Sequence, residues 1–350
     1  MNKKIFYQGV PGFIFLLIGA CTTRKDLKMA HPSSSTETLE ASIVRDPFSL
    51  LVDSNAIALA AIRLPPSLLA RLDPSVNRFV PLFSTFEDGE QKNGKFSFLQ
   101  HTQQLFVAFY SFQPLDVAVV VKGNFESYDV HEIARRGGFT AAQILFRGLE
   151  RILYTHSHGV GWLPFNSTML VIGTETRVRL LSQAYPSIRG TFSPWLEGVR
   201  GQMGQLGEQH LLRSAFDLQT PNWSLQPGKE AWLSLLRLQH LQAAWLDIGS
   251  EKGYWEVAGR LLYPSEAAAS EGAAGIRQIT DLVALMAGRK NFPKLEIVKI
   301  ELHQQQVLFK LKVEEAVIQL LLQSFPMLAH VSVPFDLLSS STQMLLTRTP

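Results

Sequence analysis

His156-Ser157-His158 is the pair of side chains in this sequence best spaced to do chemistry together. In an extended strand, residues two apart project from the same side, so both imidazoles could reach one metal ion. A tetrahedral site needs a third protein ligand, and His131 and Asp129 are the nearest candidates. The competing reading is a solvated histidine pair at a turn. No His-Glu-x-x-His accompanies them, so zinc-protease chemistry of that type lacks its motif. Serine hydrolysis needs an activated serine, a histidine base and a carboxylate, and no Gly-x-Ser-x-Gly turn is present. Gly198, Gly201 and Gly204 do not join a strand to a helix as a dinucleotide loop must, and no Gly-Lys-Ser/Thr occurs. No catalytic signature, metal or cofactor is therefore expected. Trp223, Trp232 and Trp255, if exposed together, would form an aromatic platform for a ligand; otherwise they are packing residues.

Cys21, the only cysteine, closes the stretch Leu17-Ile18-Gly19-Ala20-Cys21. Lys3 and Lys4 precede it, followed by an apolar run from Phe13 to Ile18 and then the small pair Gly19-Ala20. A positive start, a short apolar middle and small residues at a cleavage point describe a secretory signal. The run falls short of the roughly 20 apolar residues that span a bilayer. Gln8, Gly9, Pro11 and Gly12 also interrupt the segment. It resembles the lipobox of bacterial lipoproteins. That resemblance implies cleavage before Cys21, a diacylated cysteine and an N-acyl chain such as palmitate. Two or more acyl chains hold a protein stably at a membrane, whereas one does so only marginally. Thr22 rather than aspartate follows the cysteine, which in the same family implies the outer rather than the inner membrane. The expected location is the cell envelope, with the body in the periplasm or at the surface.

Composition limits what that body can be. Removing residues 1–20 leaves 330, enough for two domains of about 150 residues each. An apolar fraction of 46% and a charged fraction of 18% predict a folded core rather than disorder. Formal charge is +3, and +1 once Lys3 and Lys4 leave with the signal. That balance offers no basic face for nucleic acid. A single cysteine also rules out an intramolecular disulfide.

Residues 1–20 read as the signal peptide and 21–45, centred on His31-Pro32-Ser33-Ser34-Ser35-Thr36, as a lipidated flexible tether. A first α+β domain is expected over 46–190, a connector over 191–228, a second domain over 229–330 and a tail over 331–350. Strands are predicted over 56–64, 105–112 and 116–125; the last, almost continuously apolar and β-branched, suits burial on both faces. A short helix over 67–72 and an apolar patch over 79–86 lie between the first two. Residues 127–136 read as a helix capped by Ser127 or Asp129 and ended by Gly137-Gly138. Helical spacing of Ile144, Leu145, Leu149, Ile152 and Leu153 competes with Gly148 over 141–153, leaving that stretch ambiguous. Short strands follow over 153–156, 159–165 and 168–173, then a helix over 174–185 with Thr174 as cap and Glu175 in its first turn. A helix is expected around 208–218 and an Ala-rich one over 265–286. Strands over 295–302 and 307–312 alternate apolar with polar residues.

Leu180-Leu181-Ser182-Gln183-Ala184-Tyr185-Pro186 recurs as Leu320-Leu321-Leu322-Gln323-Ser324-Phe325-Pro326, 140 residues later without a gap. Glu175 pairs with Glu315 and Val178 with Ile318 at that offset. Further upstream, Ala108 and Phe109 resemble Ala244 and Trp245. The predicted fold is therefore α+β, two related ββαββα-type domains with helices on one face of antiparallel sheet. A groove between repeats would suit a small ligand or an envelope protein, so a non-enzymatic binding or scaffolding role is expected. A surface adhesin, or an envelope hydrolase or metal-binding protein built on His156 and His158, is the alternative.

Overall fold

In the computed structural model the described residues are 46–63, 101–112, 115–126, 129–146, 149–157, 159–183, 192–204, 206–219, 240–251, 254–287 and 295–314. Twelve strands run through them: β1 (Ala58–Arg63), β2 (Thr102–Phe112), β3 (Leu115–Gly123), β4 (Thr140–Phe146), β5 (Leu149–His156), β6 (Val160–Asn166), β7 (Met169–Thr174), β8 (His210–Asp217), β9 (Ala243–Glu251), β10 (Tyr254–Leu262), β11 (Leu295–His303) and β12 (Gln306–Val313). Four helices accompany them: α1 (Val130–Arg136), α2 (Glu175–Gln183), α3 (Pro194–Met203) and α4 (Glu266–Ala287). A 3-10 turn, Pro47–Leu51, precedes β1. The expected helix over 67–72 and the patch over 79–86 lie outside the described residues.

All twelve strands belong to one sheet, in the order β11-β12-β10-β9-β8-β1-β2-β3-β7-β6-β5-β4, and every pairing is antiparallel. The fold is α+β. β3 shows why its sequence lacks polar alternation. Val117, Val119 and Val121 enter one core, Ala118 and Val120 another, so both faces are covered. β12 is covered on one side only: Val307, Phe309, Leu311 and Val313 are buried and the residues between them are half-exposed.

Helices lie on both faces, not on one. Ala134 of α1 packs with Val117 and Val119, whereas Val178 and Leu181 of α2 pack with Ala118 and Val120 on the opposite side. Leu196, Val199 and Met203 of α3 join the α2 side. α4 covers the C-terminal half through Ala269, Ala273 and Ile276, against Ala244 and Leu246, while Trp245 between them faces the α2–α3 side. Gly161 permits the α2 contact, because a Cβ there would stand 3.1 Å from the Cα of Glu175 and 3.2 Å from the Cβ of Val178.

Residues 141–146 and 149–153 form two paired strands, not a helix. Thr140 through Phe146 pair with Thr155 through Leu149 in unbroken register. The same apolar positions satisfy a period of two: Phe146 and Leu153 enter the α2-side core, and Ile152 and Tyr154 pack on the other. The helix expected around 208–218 is strand β8. Its Leu, Arg and Ala favour helix, but hydrogen bonding to β1 and β9 on both edges overrides that weak preference. Residues 191–228, expected as a connector, thus supply α3 and a central strand.

Candidate functional site

The histidine-bearing region sits where α1 meets the β5–β6 turn. Asp129 caps α1, accepting from the backbone N–H groups of His131 and Glu132 at 3.0 Å each. Its carboxylate is therefore occupied by the helix start. Gly137 ends the helix, and Gly138, at φ +77°, turns the chain toward β4. His131 Nδ1 lies 2.5 Å from the hydroxyl of Tyr154, two residues before His156 on the same face of β5. Burial raises the Tyr154 pKa above its ordinary value, and the charge of Asp129 raises it further, so the phenol stays neutral. Phe139 completes the patch, 5.1 Å from the His156 ring and 5.9 Å from Trp162.

His131, from α1, and His156, from β5, thus come to one side of the sheet. His158 lies outside the described residues. Among the described residues there is no group of three metal-ligating side chains. Of the three tryptophans proposed as a platform, Trp223 and Trp232 lie outside the described residues. Trp255 pairs with Ser250 and Val313 on β10 and packs, half-buried, against the C-terminal core. Cys21 also lies outside the described residues.

The most highly connected charged groups are ones that sequence reasoning passed over. Arg177, on the first turn of α2, is buried; its Nε donates to Asp116 Oδ2 at 3.0 Å and its Nη1 to Asp53 Oδ2 at 2.5 Å. Nη2 also donates to Asp116, and the Thr174 hydroxyl donates to the same carboxylate at 2.9 Å. The guanidinium carbon stands 3.7 Å above the Tyr110 ring, whose hydroxyl donates to the Leu51 carbonyl at 2.6 Å. Burial alone would lower the Arg177 pKa, but hydrogen bonding and attraction to Asp116 outweigh it and the net shift is upward. A permanent cation of this kind cannot trade protons. It joins α2, β3, β2 and the segment after the 3-10 turn.

Asp247 on β9 is 5% exposed and receives two β8 side chains: His210 Nδ1 at 2.7 Å and Arg213 Nε at 3.0 Å. Arg213 also donates from Nη1 to the Gln202 carbonyl of α3 at 2.6 Å, and its Nη2 lies 3.1 Å from His210 Nε2. Guanidinium nitrogens only donate, so Nε2 is the acceptor and the imidazole proton sits on Nδ1, facing Asp247. A histidine–aspartate pair supplies two of the three members of a hydrolase triad. Here the nitrogen that would take a nucleophile's proton already accepts from Arg213. The third cluster, Arg200 with Glu197 and Asp46, ties α3 to the residues before the 3-10 turn. No local spacing could have revealed these groups, because their partners are up to 154 residues apart.

No family model and no curated protein matches this sequence. Solved structures do. The chain is similar to TP0453. Crystal form I of TP0453 aligns over 78% of this chain and 96% of its own, at 10% identity and a TM-score of 0.44. Form III gives 78%, 97%, 10% and 0.45, and form IV of TP0453 gives 77%, 95%, 10% and 0.41.

Proposed function

We propose that this chain is a lipid-anchored protein of the bacterial cell envelope whose body binds or scaffolds a partner without catalysis. The observation that carries the reading is Leu17-Ile18-Gly19-Ala20-Cys21 behind Lys3 and Lys4. Among the described residues no helix is long and apolar enough to cross a membrane. On this reading the anchor is chemical: acyl chains on Cys21 are joined to the body by the polar residues 22–45, and Thr22 after the cysteine favours the outer membrane. The partner is an envelope protein or a small ligand.

The binding role draws support from where the reactive groups sit. Arg177, Arg200, Arg213, His210 and Asp247 are engaged in clamps that fasten helices and strands to one another. We also read the body as two related halves. Outward from the central β1–β8 pair, one side runs β1-β2-β3-β7-β6 and the other β8-β9-β10-β12-β11, with the paired strands β4 and β5 as an addition to the first. α1 follows β3 as α4 follows β10. The second copy of the Leu-Leu-x-Gln word, at 320–326, lies outside the described residues.

Mass spectrometry of the mature N-terminus tests the anchor. The expected result is an N-terminal Cys21 carrying diacylglyceryl and N-acyl groups, and an unmodified or internal Cys21 overturns it. Cys21→Ser should move the protein from the membrane fraction to the soluble one. Cross-linking in intact cells should then capture an envelope neighbour with the wild-type chain and lose it with Cys21→Ser.

A further inference from the structure

Three of the five large exposed apolar side chains among the described residues lie on one strand: Ile297, Val298 and Leu302 of β11, at 36%, 44% and 40% exposure. β11 ends the sheet, and among the described residues it pairs with β12 alone. A bulge sits between Ile297 and Lys299, leaving Val298 outside the ladder. Beyond it the strand is regular: Lys299, Ile300, Glu301 and Leu302 face Lys310, Phe309, Leu308 and Val307. Ile300 and Leu302 consequently share the side of Phe309, which belongs to the α4-side core, and Lys299 and Glu301 share the other. The Lys299 ammonium lies 2.6 Å from a Glu301 carboxylate oxygen.

We propose that β11 is a self-association edge, where a second copy of this chain adds its own β11 antiparallel about a two-fold axis at Ile300. In that register Lys299 stands opposite Glu301 of the second copy, and Glu301 opposite Lys299. Ile300 meets Ile300, and Val298 meets Leu302. Directly opposed residues share a face, so charges meet charges of opposite sign and apolar groups meet apolar groups. Neighbouring registers fail. An axis at Lys299 sets lysine against lysine, and an axis between Val298 and Lys299 sets Glu296 against Glu301, where like charges repel. The bulge confines pairing to the segment from Val298 to Leu302 and prevents a longer ladder.

The opposite edge explains why the occupant is a second copy joined at β11. β4, Thr140-Ala-Ala-Gln-Ile-Leu-Phe146, carries no charge to set a register. Joining β4 of one copy to β11 of the next would be a head-to-tail contact that propagates, whereas β11 on β11 closes at two. An apolar strand edge of this kind is a template for pairing unless it is blunted.

Sedimentation of the full chain in detergent, alongside the Cys21→Ser chain so that acyl clustering is separated from strand pairing, tests the proposal. Both should sediment as dimers. Lys299→Glu and Glu301→Lys should each weaken the dimer by about tenfold or more, and the two together should restore it. Lys299 is exposed and Glu301 partly so, at 55% and 36%, and thermal melts check that the variants stay folded. Leu145→Asp on β4 should leave the dimer intact. Ile300→Cys in the Cys21→Ser chain gives a readout independent of charge. Placed on the axis it faces itself across about 4.5–5.5 Å between Cα atoms, within disulfide reach, and should oxidise to a covalent dimer, whereas Leu145→Cys should not. A monomeric wild-type chain overturns the proposal. So do single charge reversals without effect, or dissociation by Leu145→Asp.

Discussion

Replacing Gly272 with alanine should destabilise this protein, although alanine is the better helix former. Tyr263 follows β10, is fully buried, and its hydroxyl has no hydrogen-bond partner among the described residues. Gly272 of α4 lies directly against it: a Cβ there would stand 2.2 Å from the tyrosine hydroxyl and 2.3 Å from the carbon bearing it. Ordinary contact begins more than about 1 Å further out, so helix or ring must move. Overpacking of this kind costs about 1–3 kcal/mol, and the severity of the overlap favours the upper end. Against it stands a gain of roughly 1 kcal/mol in helix propensity. The expected net loss is about 2 kcal/mol. Tyr263→Leu removes both offending atoms at its own cost, and in that background Gly272→Ala should become stabilising by about 1 kcal/mol. Urea titrations of the four proteins, compared at constant m-value, measure the sign change. Equal destabilisation by Gly272→Ala in both backgrounds would refute the steric reasoning.

Burial also raises the Tyr263 pKa far above its ordinary value. Below about pH 10 the proton is held in both states; above it the unfolded chain releases the proton and the folded chain keeps it, so stability should fall by about 1.4 kcal/mol per pH unit. Denaturant midpoints between pH 9 and 11, compared with those of Tyr263→Phe, should isolate that slope, and equal slopes would assign it to other groups. Arg177→Met should cost about 2–4 kcal/mol. Breaking a buried pair is expensive, but Asp53 and Asp116 are about a quarter exposed and can rehydrate. Arg177→Lys should recover little of that loss in a thermal melt, since one ammonium cannot reach both carboxylates while covering the Tyr110 ring.

Sequence legibility followed the range of the deciding interaction. β3 was readable because burial on both faces leaves a run of valines and alanines with nothing polar to hide. α1 was readable because Asp129, its cap, acts within three residues, as the bonds to His131 and Glu132 show. β12 was readable from its alternation. Residues 141–153 were not, because the same stretch that offers helical spacing also places Ile144 with Phe146 on one face and Ile152 with Tyr154 on the other, and only the pairing of β5 with β4 and β6 decides between them. β8 is hidden for a related reason: its composition is helical, and only its place between β1 and β9 makes it a strand. The arginine clamps stayed hidden because Asp53, Asp116 and Arg177 are neighbours only after three elements have packed.

The internal correspondence shows the same limit at a larger scale. The helical word Leu180–Pro186 recurs at an offset of 140, and Ala108 was matched to Ala244 at an offset of 136. The strand pairings agree with the first offset and not with the second. β2 pairs with β3 with Phe112 opposite Leu115, and β9 pairs with β10 with Glu251 opposite Tyr254, an offset of 139. Followed inward, Ala118 corresponds to Val257 at that offset, and their partners Ala108 and Ile248 correspond at an offset of 140, because β2 carries a register shift between Phe109 and Ser111. Ala108 and Ala244 therefore do not occupy matching places in the sheet, whereas the offset of the helical word agrees with the pairing of β2 and β9. On the proposed reading of two related halves, strand order carries the likeness further than side-chain identity does, because backbone pairing requires only that each position face a core or solvent as its neighbours do. β1 and β8 make the point most directly. Neither belonged to the repeat as read from residues, yet they are the antiparallel pair from which both sides of the sheet extend.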